Sequence, residues 1–441
     1  MMTRMPQRTP AAAPKGELDL SLQVGKYDVQ KMLGKGSTGT VYLAKDQFTG
    51  REVALKTIEP EVLRDPEFGA VYRTQFQNEA SLAGKLRHPH IVAILDAVVG
   101  EDSGHIAMEL VTGGDLSQYV RPERLLPPAD VLQIGFKCCG AMDYAYRERG
   151  IVHRDIKPAN IMIVKGTEIR IADFGAAFLK KSQAAQTAAM GSPFYMAPEQ
   201  IAGRDPTFHS DMYSLGVVLY ELLAGRRPFG ADKLEALIQQ ILHTDPPPPS
   251  ELRAGLPREV DAVVLRAMKK DPARRYGTWS QFGVELSKLM SLVMPASAIP
   301  DSEKYLALSK VEMLHRLSDA EFWELAGAGK WVRVGRGEAI VREDSPGTSF
   351  FFLAKGQAKV TRQGRLLNMI NEGECFGEMA FIHGGEEPRH ATVEAMTDVM
   401  LAEFDPDTVG TMSLSAQLHV TRALVRNVVD RLVLANTRIA R

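Results

Sequence analysis

Between Tyr27 and Ile58, three short runs rich in apolar residues, Tyr27 to Leu33, Thr40 to Lys45 and Glu52 to Ile58, are separated by more polar, Gly-containing stretches. Short apolar runs bounded in this way predict strands. A helical stretch, Phe76 to Leu86, separates them from two further strand-like runs, Ile91 to Val99 and Ile106 to Leu110. After Leu116 the pattern turns helical. Val131 to Arg149, Asp211 to Ala224 and Val260 to Lys269 carry apolar residues at helix spacing. The Pro246 to Pro249 run between helices is expected to form a rigid loop. Strands first and helices afterwards predict an α+β arrangement, a strand-rich small lobe followed by a helix-rich large one.

Helical character fades after Leu292, and the segment with Pro295 and Pro300 reads as a linker. Strand signals then return at Trp331 to Val334, Glu338 to Val341, Ser349 to Arg362 and Ala391 to Phe404, separated by Gly-containing turns. The chain finishes in a helical stretch from about Asp407 to Ile439. There Leu414, Leu418, Thr421, Val425, Val428, Leu432, Ala435 and Ile439 recur at alternating spacings of four and three. Such a heptad-like seam suits pairing with a second copy as a homodimer, and equally suits folding back on its own chain as a lid. The expected division is a disordered tail over 1–26, a first domain over 27–292, a linker over 293–308, a second domain over 309–406 and a C-terminal helix over 407–441.

Lys plus Arg total 53 and Asp plus Glu total 54, a balance that offers no basic surface for nucleic acid. Cys138, Cys139 and Cys375 cannot make a disulfide framework and read as reduced core residues. No apolar run is long enough to cross a bilayer, and Arg4 and Arg8 are not followed by the apolar core of a secretory signal. The expected location is the cytoplasm, with neither nucleic acid nor membrane as a partner.

Candidate chemistry is concentrated in three blocks. Gly34, Gly36 and Gly39 precede Val41 in Gly-Lys-Gly-Ser-Thr-Gly-Thr-Val, a spacing that lets backbone approach phosphates without Cβ interference. The run leads into a strand, whereas a dinucleotide loop would open a helix. Next, Ala54 and Lys56 lie in Val-Ala-Leu-Lys, where the lysine offers positive charge to phosphates and Glu79 offers an ion-pair partner. In isolation that pair also reads as two surface residues. The third block, His153 to Asn160, places Asp155 where a carboxylate can accept a hydroxyl proton. Lys157 adds positive charge and Asn160 a neutral oxygen for Mg²⁺. Asp173, in Asp173-Phe174-Gly175, is a second hard oxygen ligand.

With Ala197-Pro198-Glu199 further on, these blocks occur in the order of the eukaryotic-like (Hanks-type) protein kinases, which the chain resembles from about Tyr27 to Met290. The resemblance implies a bilobal kinase fold using ATP and Mg²⁺ on protein substrates. It implies catalytic roles for Asp155, Lys157, Lys56 and Glu79, and Mg²⁺ held by Asn160 and Asp173. ATP would contact the glycine loop, Val41, Ala54, Lys56 and the hinge strand Glu109 to Val111. Met108 would lie at the back of the adenine pocket. Asp211 would buttress the catalytic loop and Glu199 would pair with Arg275. Lys157, two residues after the catalytic aspartate, marks the Ser/Thr-specific branch. Ser182, Thr187 and Ser192 are the hydroxyls open to phosphorylation in the activation segment.

Ser309 to Phe404 resembles the cyclic-nucleotide-binding domains. Gly335-Arg336-Gly337-Glu338, Phe350 to Gly356 and Phe376-Gly377-Glu378-Met379-Ala380 carry the resemblance. It implies a jelly-roll-like β-barrel with a C-terminal helix. Glu378 could accept a ribose hydroxyl, the turn at Gly377 could face phosphate, Arg389 could pair with it, and Ala391 would open the next strand. The ligand implied is cAMP or cGMP. A barrel that binds no nucleotide is the other reading. Glu386 and Glu387 lie near the proposed phosphate position, and His390 directly follows the arginine.

Taken together, the expectation is an ATP-dependent Ser/Thr kinase regulated by a C-terminal nucleotide sensor. A pseudokinase scaffold, and a constitutive kinase whose second domain only binds, are the alternatives.

Overall fold

The computed structural model describes residues 23–36, 39–58, 60–66, 69–82, 84–100, 103–176, 193–385 and 388–439. Two compact units divide the chain: residues 1–83 with 94–110, and residues 84–93 with 111–441.

In the first unit, β1 (Gln23–Val24), β2 (Tyr27–Gly36), β3 (Gly39–Asp46), β4 (Glu52–Ile58), β5 (Ile94–Val99) and β6 (Gly104–Glu109) form one antiparallel sheet in the order β1-β2-β3-β4-β6-β5. Helix α1 (Gly69–Ala80) turns Val71, Gln75, Phe76 and Glu79 inward. The helix expected at Phe76 to Leu86 thus begins and ends earlier. Leu82 and Leu86 are buried, but from a turn and from irregular backbone, so their apolar side chains imitate a helical period that the backbone has left.

The kinase-like part of the second unit is helical. Its longest elements are α2 (Pro128–Arg149), α3 (Phe208–Ala224), α4 (Leu234–His243), α5 (Arg258–Ala267) and α6 (Trp279–Lys288). Helix α3 is buried along nearly its whole length, its start capped by Thr207 and its end by Gly225 in the left-handed region. A two-stranded hairpin, β7 (Ile161–Lys165) and β8 (Glu168–Ile171), follows α2. Within the proline run, Pro249 opens a short helix, Pro249–Leu252, because proline fits a first helical position where no N–H is needed. The segment expected as a linker is not wholly extended: it ends in α7 (Asp301–Leu308).

After α8 (Asp319–Ala328), two four-stranded antiparallel sheets face each other. Their strands are β9 (Lys330–Val334), β10 (Ala339–Val341), β11 (Phe350–Lys355), β12 (Gln357–Arg362), β13 (Arg365–Asn371), β14 (Cys375–Phe376), β15 (Thr392–Ala395) and β16 (Val399–Phe404). The sheet orders are β10-β15-β12-β13 and β14-β11-β16-β9. Each of the two long strands expected here, Ser349 to Arg362 and Ala391 to Phe404, is divided between the sheets. At the first division Gly356 has φ of +91°, and a Cβ there would meet the Asp398 carbonyl at 2.7 Å. The Phe-Phe-Phe-Leu run of β11 has both faces covered. Phe351 and Leu353 enter the core between the sheets, and Phe350 and Phe352 a second core beneath the helices. Burying each such side chain stabilises by about 1.5–3 kcal/mol. The short helix α9 (Glu378–Ile382) precedes β15, and α10 (Leu414–Ile439) closes the chain. Among the described residues no helix is long and apolar enough to cross a membrane.

Candidate functional site

In the first unit the glycine run lies on the paired strands β2 and β3: Gly34 faces Val41, Lys35 faces Thr40 and Gly36 faces Gly39. Gly39 has φ of +142°, and a Cβ there would lie 1.9 Å from the Thr57 carbonyl oxygen, so a larger residue does not fit. Across the next ladder Val41 is opposite Lys56. Lys56 Nζ donates to Glu79 Oε2 at 2.5 Å, and the two residues are only 6% and 4% exposed. The pair is therefore buried, which excludes two unrelated surface residues. Ala54 is also buried on β4, opposite Met108 of β6. Glu109 ends that strand, while Val111 falls in the second unit.

In the second unit Asp211, on α3, organises the loop before β7. It accepts the His153 amide at 2.6 Å and the Arg154 amide at 2.7 Å, holding Arg154 at φ of +70°. Burial pushes the Asp211 carboxyl up to about 6, against the pull of His153 and of the two amides. Asp155 Oδ2 accepts Lys157 Nζ at 2.6 Å and Asn160 Nδ2 at 3.1 Å, and the same Asn160 nitrogen donates to the Asp155 carbonyl at 2.8 Å. With its nitrogen committed, Asn160 keeps its amide oxygen as an acceptor. The Ala172 amide donates to the Asn160 carbonyl at 2.8 Å, and His153 Nε2 lies 3.0 Å from the Ala172 carbonyl. These bonds draw the strand leading to Asp173, itself at φ of +62°, against the loop of Asp155.

Below this cluster, Glu199 receives Arg275 through two bonds of 2.7 and 2.8 Å, and Ser210 Oγ donates to it as well. Burial raises the Glu199 carboxyl, but Arg275 and Ser210 outweigh it and hold it below its ordinary value. Ser182, Thr187 and Ser192 lie outside the described residues, as do Glu386 and Glu387.

A cavity of about 190 Å³ opens in the barrel. Its lining includes the apolar side chains of Val341, Val360 and Ile370 together with Gly377, Glu378, Arg389 and Ala391. Gly377 has φ of +78°, and a Cβ there would come within 2.9 Å of Arg389 Nη1. Arg389 is 7% exposed, donates to the Gly377 carbonyl across 3.4 Å and lies over the Phe351 ring. Burial lowers its pKa, and Glu403 opposes that shift.

Nothing in the sequence marks Arg431 as a site residue. From α10 it donates to Glu378 Oε1 at 2.9 Å and to the Cys375 carbonyl at 2.5 Å. Ala416, Val420, Ala423 and Leu424 pack α10 on the barrel core, which is the lid arrangement. The heptad seam lies on another face: Leu414, Leu418, Val425 and Leu432 are exposed. The residues that meet the barrel fall between the seam positions, two of them small alanines, so the seam spacing did not reveal them. The side chains of Ala435 and Ile439 lie outside the described residues.

Residues 27–284 match the family described as the protein kinase domain, and residues 331–414 match the cyclic nucleotide-binding domain. The chain belongs to the protein kinase family and carries a cyclic nucleotide-binding domain after its kinase domain. Among curated relatives, it is 35% identical over 327 residues to the serine/threonine-protein kinase PknB of Mycobacterium leprae, covering 70% of this chain and 52% of the relative. It is 38% identical over 272 residues to the probable serine/threonine-protein kinase SCO3848 of Streptomyces coelicolor, covering 59% of this chain and 39% of that protein. The chain thus spans about half or less of the length of these relatives. The crystal structure of the Mycobacterium tuberculosis PknI kinase domain aligns with a TM-score of 0.50 and 33% identity, covering 63% of this chain and all of that one.

Proposed function

We propose that the protein transfers the γ-phosphoryl group of ATP to Ser or Thr hydroxyls of protein substrates, and that a cyclic nucleotide in the barrel regulates the transfer. The observation that carries the catalytic half is the single cluster of Asp155, Lys157 and Asn160, fixed by Asp211. Asp155 orients the substrate hydroxyl and accepts its proton as the new P–O bond forms and the bond to ADP breaks. Lys157, on the same carboxylate, places positive charge where the phosphoryl group passes. Lys56, aligned by Glu79, and the backbone of the glycine run hold the remaining phosphates. Ala54, Met108 and the backbone from Glu109 to Val111 receive the adenine.

The donors Asn160 and Asp173 are hard oxygens, the set that Mg²⁺ prefers. When bound, Mg²⁺ neutralises phosphate charge.

In the barrel, Arg389 takes the cyclic phosphate of cAMP or cGMP, Glu378 takes a ribose hydroxyl, and the apolar lining of the cavity receives the base. Arg431 uses one oxygen of Glu378 and so ties occupancy of the cavity to α10. The exposed seam of α10 is the surface for a second copy of the chain. Autophosphorylation falls on Ser182, Thr187 or Ser192, and phosphopeptide mapping of an active preparation checks it. Transfer from labelled ATP to a generic basic substrate, lost in Asp155→Asn, tests the catalytic half. Retained transfer in that variant would remove it, and the scaffold reading gains if no condition gives transfer.

A further inference from the structure

Trp323 leaves the barrel side of the second unit and enters its kinase side. It lies on α8, just before the barrel, and is 8% exposed. Its ring stacks on Tyr305 of α7 at 4.5 Å and meets the edges of Phe136, on α2, and His90 at 5.9 and 4.7 Å. His90 is 1% exposed, and burial holds its pKa well below the ordinary value, so the neutral ring packs as an apolar plate.

The backbone of His90 is bonded to the strand that leads to Asp173. Its carbonyl accepts the Ile171 amide at 2.8 Å, and the Val92 amide donates to the Ile171 carbonyl at 2.9 Å. Ile171 ends β8, two residues before Asp173. One edge of this strand is thus tied to the Asp155 loop through Asn160, the other to the segment behind which Trp323 sits.

Trp323 is held in place independently. Lys137 of α2, fully buried, bonds to Glu168 beside β7 and at 2.8 Å to Asp301, the first residue of α7. Arg147 of α2 bonds to Asp319 of α8 at 3.0 Å. A buried lysine that takes one carboxylate from the kinase side and another from α7 fixes α7, and with it Tyr305 under the Trp323 ring. Helix α8 is also bonded to α10, through His419 to Glu321 at 2.8 Å, and to the residue before it, the Ser413 amide donating to Glu324 at 2.7 Å.

We infer that Trp323 is a positioning residue for phosphoryl transfer: by backing His90 it sets the strand that places Asp173. Neither family match requires it, since residue 323 lies after the kinase match and before the nucleotide-binding match. The inference rests on the proposal that Asp173 holds Mg²⁺.

The test uses the full chain with Trp323→Ala, Trp323→Leu and Trp323→Phe. The Mg²⁺ concentration for half-maximal transfer at saturating ATP is measured beside the peptide KM, and amide hydrogen exchange is followed in segments 88–92 and 169–173. Trp323→Ala is expected to raise the Mg²⁺ requirement by about 2- to 30-fold, with faster exchange in both segments and an unchanged peptide KM. Trp323→Phe should restore it. A merely structural role would lower the active fraction without moving the Mg²⁺ requirement, and that result overturns the inference. If Trp323→Ala does not fold, Trp323→Leu, which keeps apolar volume, is judged by the same readouts. If the unaltered chain transfers no phosphate, the kinase proposal fails and the positioning role falls with it; transfer by the unaltered chain with an unmoved Mg²⁺ requirement in the variants overturns the positioning role alone.

Discussion

Among the buried carboxylates of the described residues, Glu199 and Glu378 are each held by one arginine, and the two pairs are built differently. Glu199 and Arg275 are both out of solvent, with side chains 6% and 0% exposed, and they meet through two bonds inside the kinase fold. Glu378 is equally buried at 5%, but its partner Arg431 is 44% exposed and arrives from the terminal helix through one bond. The first geometry suits a permanent strut, because separating its members strands two charges where water cannot reach them. The second suits a contact that changes with what fills the cavity, because the arginine can withdraw into water at little cost.

The sharpest break in this comparison is at the catalytic loop itself. Asp155→Asn is expected to slow phosphoryl transfer by about 10²- to 10⁴-fold while leaving the melting temperature in place. Undiminished transfer would mean that the loop is organised for something other than catalysis. Glu199→Gln should destabilise the fold by about 3–5 kcal/mol, read by chemical denaturation, since Arg275 is left buried without its carboxylate.

The catalytic loop also has a pH dependence of its own. Asp211 is raised from 3.8 to about 6 by burial. The folded chain therefore binds this proton more tightly than the unfolded one, and the group's contribution to stability falls as pH rises from 3.8 towards 6. Activity runs the other way, because only the ionised carboxylate accepts both loop amides. Transfer should therefore decline by about tenfold per pH unit below the Asp211 pKa. A flat acid limb would contradict the buttressing role.

The smallest effect is expected at the second pair. Arg431→Gln should alter global stability by no more than about 1 kcal/mol, yet speed hydrogen exchange in the α10 segment around residue 431 and change nucleotide affinity. A loss of stability as large as that of Glu199→Gln would make the two pairs alike and erase the distinction.

These two regions also differed in how far the sequence revealed them. The loop of Asp155, the glycines of β2 and β3 and the Lys56 to Glu79 pair lie in short runs whose spacing carries their chemistry, and only their burial awaited the structure. Trp323, Lys137 and Arg431 act across sequence distances of 233, 164 and 53 residues, to His90, Asp301 and Glu378. Each looked like an ordinary helix residue. The α10 seam misled for a related reason: apolar spacing shows that a helix has sticky faces, not which face its own barrel will cover. The divided strands at Gly356 were hidden because both sheets demand the same apolar alternation.

The central claim is that occupancy of the barrel changes catalysis in the kinase domain of the same chain. The most direct measurement is phosphoryl transfer by the full chain without nucleotide, with cAMP and with cGMP, beside direct binding of each nucleotide and the variant Arg389→Gln. The account predicts that the nucleotide that binds also changes the transfer rate, and that Arg389→Gln loses both responses. Binding that leaves the rate unchanged would contradict it and leave a constitutive kinase joined to a binding module.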